Sequence, residues 1–384
     1  MTTPAPPPLD GLTVLDLSRV LAGPYATQLL GDLGAEVWKI ERPGLGDETR
    51  AWGPPFVAGE SAYFLSVNRN KKSAALDFDD PAQLAAVKRA ARIADIVVEN
   101  FLPGDLARFG LDAAMLRSER PELIVCSITG YGQDGPYATR PGYDAVLQGF
   151  TGLQSITGEE TGPPLKVGVA VIDVLTGAHA AGAILGALVG RVRHGVGAHL
   201  DIALFEVGVA SLVNVTQAAL ASGQPARRYG NAHPQIVPYQ TFEAADGAMV
   251  IAVGNDEQWS RLCDALEAPQ WKTRAEWTRN PDRVLHRADV VPAIAARLAT
   301  RPREYWLARL GAARVPAGAV RGVAEVVADP ALTARGMVQE AVVGEGIRVP
   351  LFNLPWKVDG GRPALRHAPP RLGQHTEEFL ARFG

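Results

Sequence analysis

One carboxylate, Asp173, lies inside an apolar, small-residue run at 166–188, KVGVAVIDVLTGAHAAGAILGAL. An ionised Asp is seldom buried unless something pairs with it. The residue is therefore a satisfied structural acid or a poised chemical one. Thr176 three positions on, with a helix behind it, also fits an N-cap. On these residues alone the cap reading leads and the chemical one stays open.

Other polar residues collect in loops that follow short β-runs. Residues 12–17, LTVLDL, read as a buried strand, and 18–24, SRVLAGP, lead into a helix over 25–33 that Gly34 ends. Residues 35–40 form the next strand. Strand, helix, strand predicts a βαβ unit in a parallel sheet. A long loop over 41–56 then mixes Arg42, Asp47, Glu48 and Arg50 with Trp52 and Phe56. Residues 66–73, SVNRNKKS, concentrate Arg69, Lys71 and Lys72 before a strand predicted at 74–78. Strands at 95–99 and 123–127 open into 100–104, NFLPG, and the glycine-rich 128–136. In an open α/β sheet such loops gather on one edge. That edge, with its basic residues, suits a sizeable anionic ligand, although a basic run is more often a solvated face.

The 384 residues allow two domains, and 47% apolar content allows a large core. A net charge of −3 with mixed signs argues against a general nucleic-acid binder. Cys126 and Cys263 lack any disulfide or zinc spacing, so no metal site is expected and a reducing cytoplasm fits. The first βα loop has no G-x-G-x-x-G, which sets aside a bound dinucleotide. No run reaches the length of a membrane helix; the segment after Asp173 comes nearest, interrupted by His179. The Pro-rich start lacks a basic, apolar signal and reads as a short lead-in. The expected domains are a large one at 10–195 completed by 335–384, a helical linker at 196–224 and a small α+β domain at 225–330. The small domain should open with a hairpin around Asp246-Gly247.

Taken together, the motifs resemble the family III CoA-transferases over essentially the whole chain. They are LDLSRVLAGP at 15–24, GAEVWKIERPGLGDETR at 34–50, SVNRNKKS at 66–73 and VENFLPG at 98–104. GYDA at 142–145, VIDVLTG at 171–177 and RLGQHTEEFL at 371–380 complete the series. Residues 51–73 and 229–242 are most similar to the succinyl-CoA:glutarate branch. The resemblance implies a Rossmann-like parallel-sheet large domain plus a smaller α+β domain, in an interlocked homodimer of ring-like chains. It implies that Asp173 is the nucleophile and that an acyl-CoA, with no permanently bound cofactor, is the substrate. CoA contacts are implied at Val20, Leu21, Ala22, Arg42, Val67, Asn68 and Lys72, and at Asn100, Phe101, Arg108 and Phe109. Tyr143 and Asp144 would stand beside the thioester, Tyr143 as a hydrogen-bond donor. His233 would serve the substrate pocket, and Gly254 with Asn255 would cover the intermediate. Arg19 and Arg50 compete as the cation for a dicarboxylate's far end.

The implied chemistry carries a carboxylate through covalent acyl intermediates, splitting one hard exchange into easier steps. The site must be dry, and a helix start behind Asp173 would supply oxyanion donors. An α-methylacyl-CoA racemase on the same fold is the competing enzyme class. It uses histidine where this chain has Tyr143, and a phenol with a pKa of about 10 is a poor proton shuttle. A CoA-binding protein without catalysis would need no carboxylate at 173.

Overall fold

The computed structural model describes residues 6–344 and 346–384. They divide into two compact units. The first comprises the chain through Leu153, Val167–Gly223 and Pro330–Gly384; the second comprises Gln154–Lys166 and Gln224–Asp329.

The first unit opens with β1 (Thr13–Asp16), α1 (Ala22–Asp32) and β2 (Glu36–Glu41). A small hairpin, β3 (Phe56–Val57) with β4 (Glu60–Ser61), precedes α2 (Ala62–Val67) and β5 (Lys71–Ala75). Then come α3 (Pro81–Ile93), β6 (Ile96–Glu99), α4 (Ala113–Glu119), β7 (Ile124–Thr129) and α5 (Asp144–Phe150). After the short α6 (Leu153–Ile156) the unit resumes with α7 (Val171–His194), β8 (His199–Ala203), α8 (Leu204–Ala210) and α9 (Val213–Ser222). Six strands form one parallel sheet in the order β5-β2-β1-β6-β7-β8. The order reverses between β1 and β6, the place where an open α/β sheet gathers its ligand-binding loops, and here Asn100 ties the loop after β6 to the backbone of Arg19 after β1.

Strand alternation sends the apolar side chains of β1 to both faces, as a sheet covered on both sides requires. Val14, Val37 and Ile96 face α1 and α7. Leu15, Trp38 and Val97 face α3, α4 and the C-terminal helix Thr376–Phe383. Asp80 caps α3 by accepting from Ala82 N–H and Gln83 N–H, Pro81 sits at its start, and Ala86, Val87, Ala90 and Ala91 form its buried stripe. The tail closes over the edge strand β5. His375 N–H donates to Ser73 O, and Thr376 Oγ1 accepts from Ala75 N–H. The hairpin β12–β13, Val338–Val343 with Ile347–Phe352, packs on Leu65.

The second unit has a three-stranded antiparallel sheet of β9 (Tyr239–Ala244), β10 (Gly247–Ala252) and β11 (Ala317–Ala319). The turn at Asp246-Gly247 joins β9 and β10. Trp259, Trp277 and Trp306 fill its core. Arg283 is wholly buried there, donating to the carbonyls of Val237, Trp277 and Thr278 and pairing with Asp256.

Three expectations change. The 196–224 stretch is no linker: β8 pairs with β7 as a full strand of the large sheet, and residues 154–166 belong to the second unit. The helical part of the 196–224 stretch is two helices, α8 and α9, bent by 75°, with Val213 at φ 39 near the bend. The strand expected at 74–78 begins at Lys71. Two lysines fit a buried strand there because each meets carboxylates. The 24-residue α7 is also long and apolar enough to cross a membrane, but here its buried face packs on α1 and the sheet.

Candidate active site

Asp173 is the third residue of α7 and is 8% exposed. It is not the N-cap; that position is Ala170, which has no capping side chain. The capping acid is Asp144, at the start of α5. One of its carboxylate oxygens accepts from Ile172 N–H at 2.8 Å and from Asp173 N–H at 3.2 Å. Its other oxygen accepts from Gln148 Nε2 at 2.5 Å, and Gln148 Oε1 accepts from Val167 N–H at 2.8 Å. Two side chains of α5 thus anchor the segment that delivers Asp173. Val171 N–H donates to Val169 O and Val174 N–H to Ala170 O. The first-turn donors of α7 are all engaged, so the expected oxyanion role for them does not hold.

Burial, then the neighbouring Asp144 charge, pushes the Asp173 carboxyl up to about 7. The result is a carboxyl that ionises near neutrality in a dry setting. Tyr63 on α2 feels the same charges. Burial and the carboxylates of Asp173, Asp144 and Asp47 push its hydroxyl up to about 12, so it stays a neutral donor. Its ring meets Trp52 edge-on at 5.3 Å. Sequence reasoning missed Tyr63. The available signal was Ser61, which caps α2 by accepting from Phe64 N–H at 3.0 Å and starts the helix that carries the phenol.

Helix α1 packs against α7 at Gly177, one turn beyond Asp173. A Cβ there would lie 2.6 Å from Ala22 O and 3.0 Å from Tyr25 Cδ1, so only glycine allows this approach. The 18–21 loop enters α1, and no side chain caps that helix.

The remaining predicted residues sort by what they touch. Leu21, Ala22 and Val67 are buried, and Val20 is held at φ +70. Arg50 is no free pocket cation. It is buried between Glu41 and Glu60, donates to Pro370 O and stacks over the Phe64 ring. Arg19 is exposed and paired with Glu48 at 2.7 Å. Lys72 pairs with Glu36 and Glu378 over the Trp38 ring, so its expected CoA contact meets a charge already matched. Asn68 is fully buried, donating to Phe64 O and accepting from Lys71. Asn100 grips the backbone of Arg19. Phe101 lies under the Arg19 guanidinium, and Arg108 covers the ring of Phe109. Arg42 and Arg108 are exposed. Tyr143 is 58% exposed, while its neighbour Asp144 turns inward to cap α7 rather than facing a ligand.

In the second unit, His233 Nδ1 accepts from Gln235 N–H, and its ring lies 5.3 Å from that of Tyr239. Burial, then Arg287, lowers its pKa below the usual histidine range. Asn255 caps α10 (Asp256–Ala265), and Gly254 N–H donates to Gln258 Oε1 at 2.7 Å. A cavity of about 380 Å³ in the first unit is lined by Glu99, Leu106, Arg117, Ser127, Gln133 and His199 among others, and by neither Asp173 nor Asp144. The buried carboxyl at the start of α7 lies outside this cavity. Among the described residues no cluster of His, Cys, Asp or Glu could hold a metal.

In this chain, then, a doubly wound α/β sheet carries a buried carboxyl beside its first crossover helix. The family model for CoA-transferase family III matches residues 9–376, and the chain belongs to that family. It is an enzyme of the CoA-transferase type. The succinate–glutarate CoA-transferase of Agrobacterium fabrum is 43% identical over 98% of this chain and 95% of its own length. The succinyl-CoA:glutarate CoA-transferase of Homo sapiens is 42% identical over 97% of this chain and 85% of its own. Among solved structures, a CaiB/BaiF family protein from Brucella suis superposes with a TM-score of 0.86 at 42% identity, covering 99% of this chain and 100% of that one.

Proposed function

We propose that this enzyme moves CoA from a short acyl-CoA, succinyl-CoA foremost, to a glutarate-like dicarboxylate, with Asp173 as the covalent carrier. The carrying observation is the Asp173 carboxyl itself: buried, on a backbone that Asp144 anchors at the first turn of α7, and ionising near pH 7. Identity above 40% to relatives named for succinate and glutarate supports the substrate pair.

In the first step a carboxylate oxygen of Asp173 attacks the donor thioester carbonyl. The C–S bond breaks, leaving an aspartyl–acyl anhydride and CoA thiolate. The thiolate attacks the Asp173 carbonyl carbon, the donor acid departs as carboxylate, and an aspartyl-CoA thioester remains. The acceptor carboxylate attacks that carbonyl and expels CoA thiolate. The thiolate then takes the acceptor's acyl group and frees Asp173. No water or proton is consumed overall. Burial serves this sequence twice, by excluding water from the anhydride and by weakening solvation of the attacking oxygen. Tyr63, held neutral, is the donor we assign to a developing oxyanion.

The exposed Arg42 and Arg108 are the cations we assign to the CoA phosphates, with Phe101 and Phe109 beside the nucleotide. Arg19, Tyr143, His233, Gly254 and Asn255 remain proposals for the acyl and acceptor side. The working form we propose is the interlocked homodimer. Val189 and Val192 on α7 and Leu220 on α9 are exposed apolar surface that a second copy would cover. Incubating succinyl-CoA with a panel of dicarboxylates and reading CoA esters by mass tests the reaction. Hydroxylamine added during turnover should convert Asp173 to a hydroxamate; capture at another acid, or no ester exchange, would sink the proposal.

A further inference from the structure

We propose that Asn100 and the buried Asp47–Lys39 pair are positioning residues, holding the 18–21 loop in a strained shape that sets the first turn of α1 beside Asp173. The proposal rests on the reading of Asp173 as nucleophile.

Consecutive backbone groups of this loop are each held by a side chain. Ser18 N–H donates to Asp16 Oδ1 at 3.0 Å, and Ser18 O accepts from Lys39 Nζ at 2.8 Å. Arg19 N–H donates to Asn100 Oδ1 at 2.9 Å, and Arg19 O accepts from Asn100 Nδ2 at 2.7 Å. Val20 N–H points at the Asp47 carboxylate, 3.2 and 3.3 Å from its two oxygens. Asp47 is in turn paired with Lys39 at 2.9 Å, and neither side chain is exposed. The partners come from β1, from β2 and the loop after it, and from the end of β6. They converge from both sides of the point where the strand order reverses.

What they converge on is a backbone shape that valine resists. Val20 has φ +70, in the left-handed region. A β-branched side chain there crowds its own backbone, and such residues persist only where their surroundings over-determine them. Two residues later α1 begins. Its first carbonyl, Ala22 O, is the atom that meets Gly177, one turn along α7 from Asp173. Asp47 and Asp173 also act on the same Tyr63 hydroxyl. The clamp therefore stands between the sheet and the reacting carboxyl, and the loop transmits its geometry. Asn100, expected to touch CoA, has both side-chain polar atoms engaged within the protein.

Steady-state kinetics of the full-length enzyme, with succinyl-CoA and its best dicarboxylate acceptor, test this. N100A should lower kcat by about 10- to 100-fold while KM for succinyl-CoA stays within about threefold. In the V20G background the same substitution should cost less than about threefold, because glycine adopts φ +70 unaided. A KM rise above tenfold with kcat retained would make Asn100 a CoA contact and overturn the proposal. So would an unchanged kcat, or an equal loss in both backgrounds. If N100A does not fold, N100D replaces it. It keeps an acceptor for Arg19 N–H but loses the donor to Arg19 O, so a fall in kcat of about 3- to 10-fold is expected, and no fall is refuting. Hydroxylamine capture at Asp173 in the unsubstituted enzyme separates the two ideas: capture with a normal N100A removes the clamp alone, and no capture removes the nucleophile.

Discussion

Replacing Asp173 by Asn should abolish transfer and yet stabilise the protein, and the stabilisation should depend on pH. The carboxyl is raised from 3.8 to about 7, first by burial and then by Asp144. Between those values the folded chain keeps a proton that the unfolded chain has released. By linkage, the stability tied to this group is fully present below about pH 4, falls as pH rises toward 7, and stays lost above it. At about 1.4 kcal/mol per pH unit the ceiling on this cost is about 4 kcal/mol. Relaxation around the carboxylate brings a working figure to about 2 kcal/mol, because effective dielectric in such sites exceeds that of dry protein. Asparagine is the near-isostere of the neutral acid and carries no such cost. At about 2 °C per kcal/mol, the Asn variant should melt about 4 °C higher at pH 8. At pH 4 the two proteins should melt together. Turnover should fall by about 10⁴-fold or more, since no other group takes the acyl chain. Paired melts at the two pH values and one assay decide it. A variant that melts lower at pH 8, or shows the same difference at both pH values, refutes the argument that the buried charge is the cost; retained turnover refutes the covalent role.

Substituting Asn for Asp144 removes the charge that helps raise Asp173 but leaves an oxygen for Ile172 N–H. The acid limb of kcat/KM against pH should therefore move to lower pH, and an unmoved limb would show that the two carboxyls do not interact. Gly177→Ala places a methyl 2.6 Å from Ala22 O, so α1 must shift off α7. A loss of about 1–3 kcal/mol in a denaturant melt is expected, together with lowered kcat. Arg50→Ala strands Glu41 in the interior, at about 3–5 kcal/mol. It should cost folded yield, while the surviving enzyme keeps its KM for the acceptor acid. A large selective rise in that KM would return Arg50 to the substrate pocket.

The βαβ rhythm was legible because branched apolar runs and glycine stops are local signals. The end of α1 before Gly34 and the hairpin at Asp246-Gly247 are such cases. Asp173 was legible too, because a lone acid in an apolar run demands a reason wherever it lies. The partners of the charged residues were not. Arg50 and Lys72 read as free cations because the 320 residues that separate Arg50 from Pro370, or the 306 from Lys72 to Glu378, vanish only when the tail folds back along β5. The cap on α7 has the same cause: local residues offered Asp173 for it, and Asp144 holds it. Sequence types put a capping acid and a buried acid in this protein and placed one of them before Val-Leu-Thr-Gly. Which acid caps depends on α5 crossing the start of α7, so that the Asp144 oxygen reaches two amide groups 28 and 29 residues away. Local preference determines that a helix begins near Asp173; the burial that raises its pKa, and the loop held beside it, exist only once the sheet has brought distant residues together.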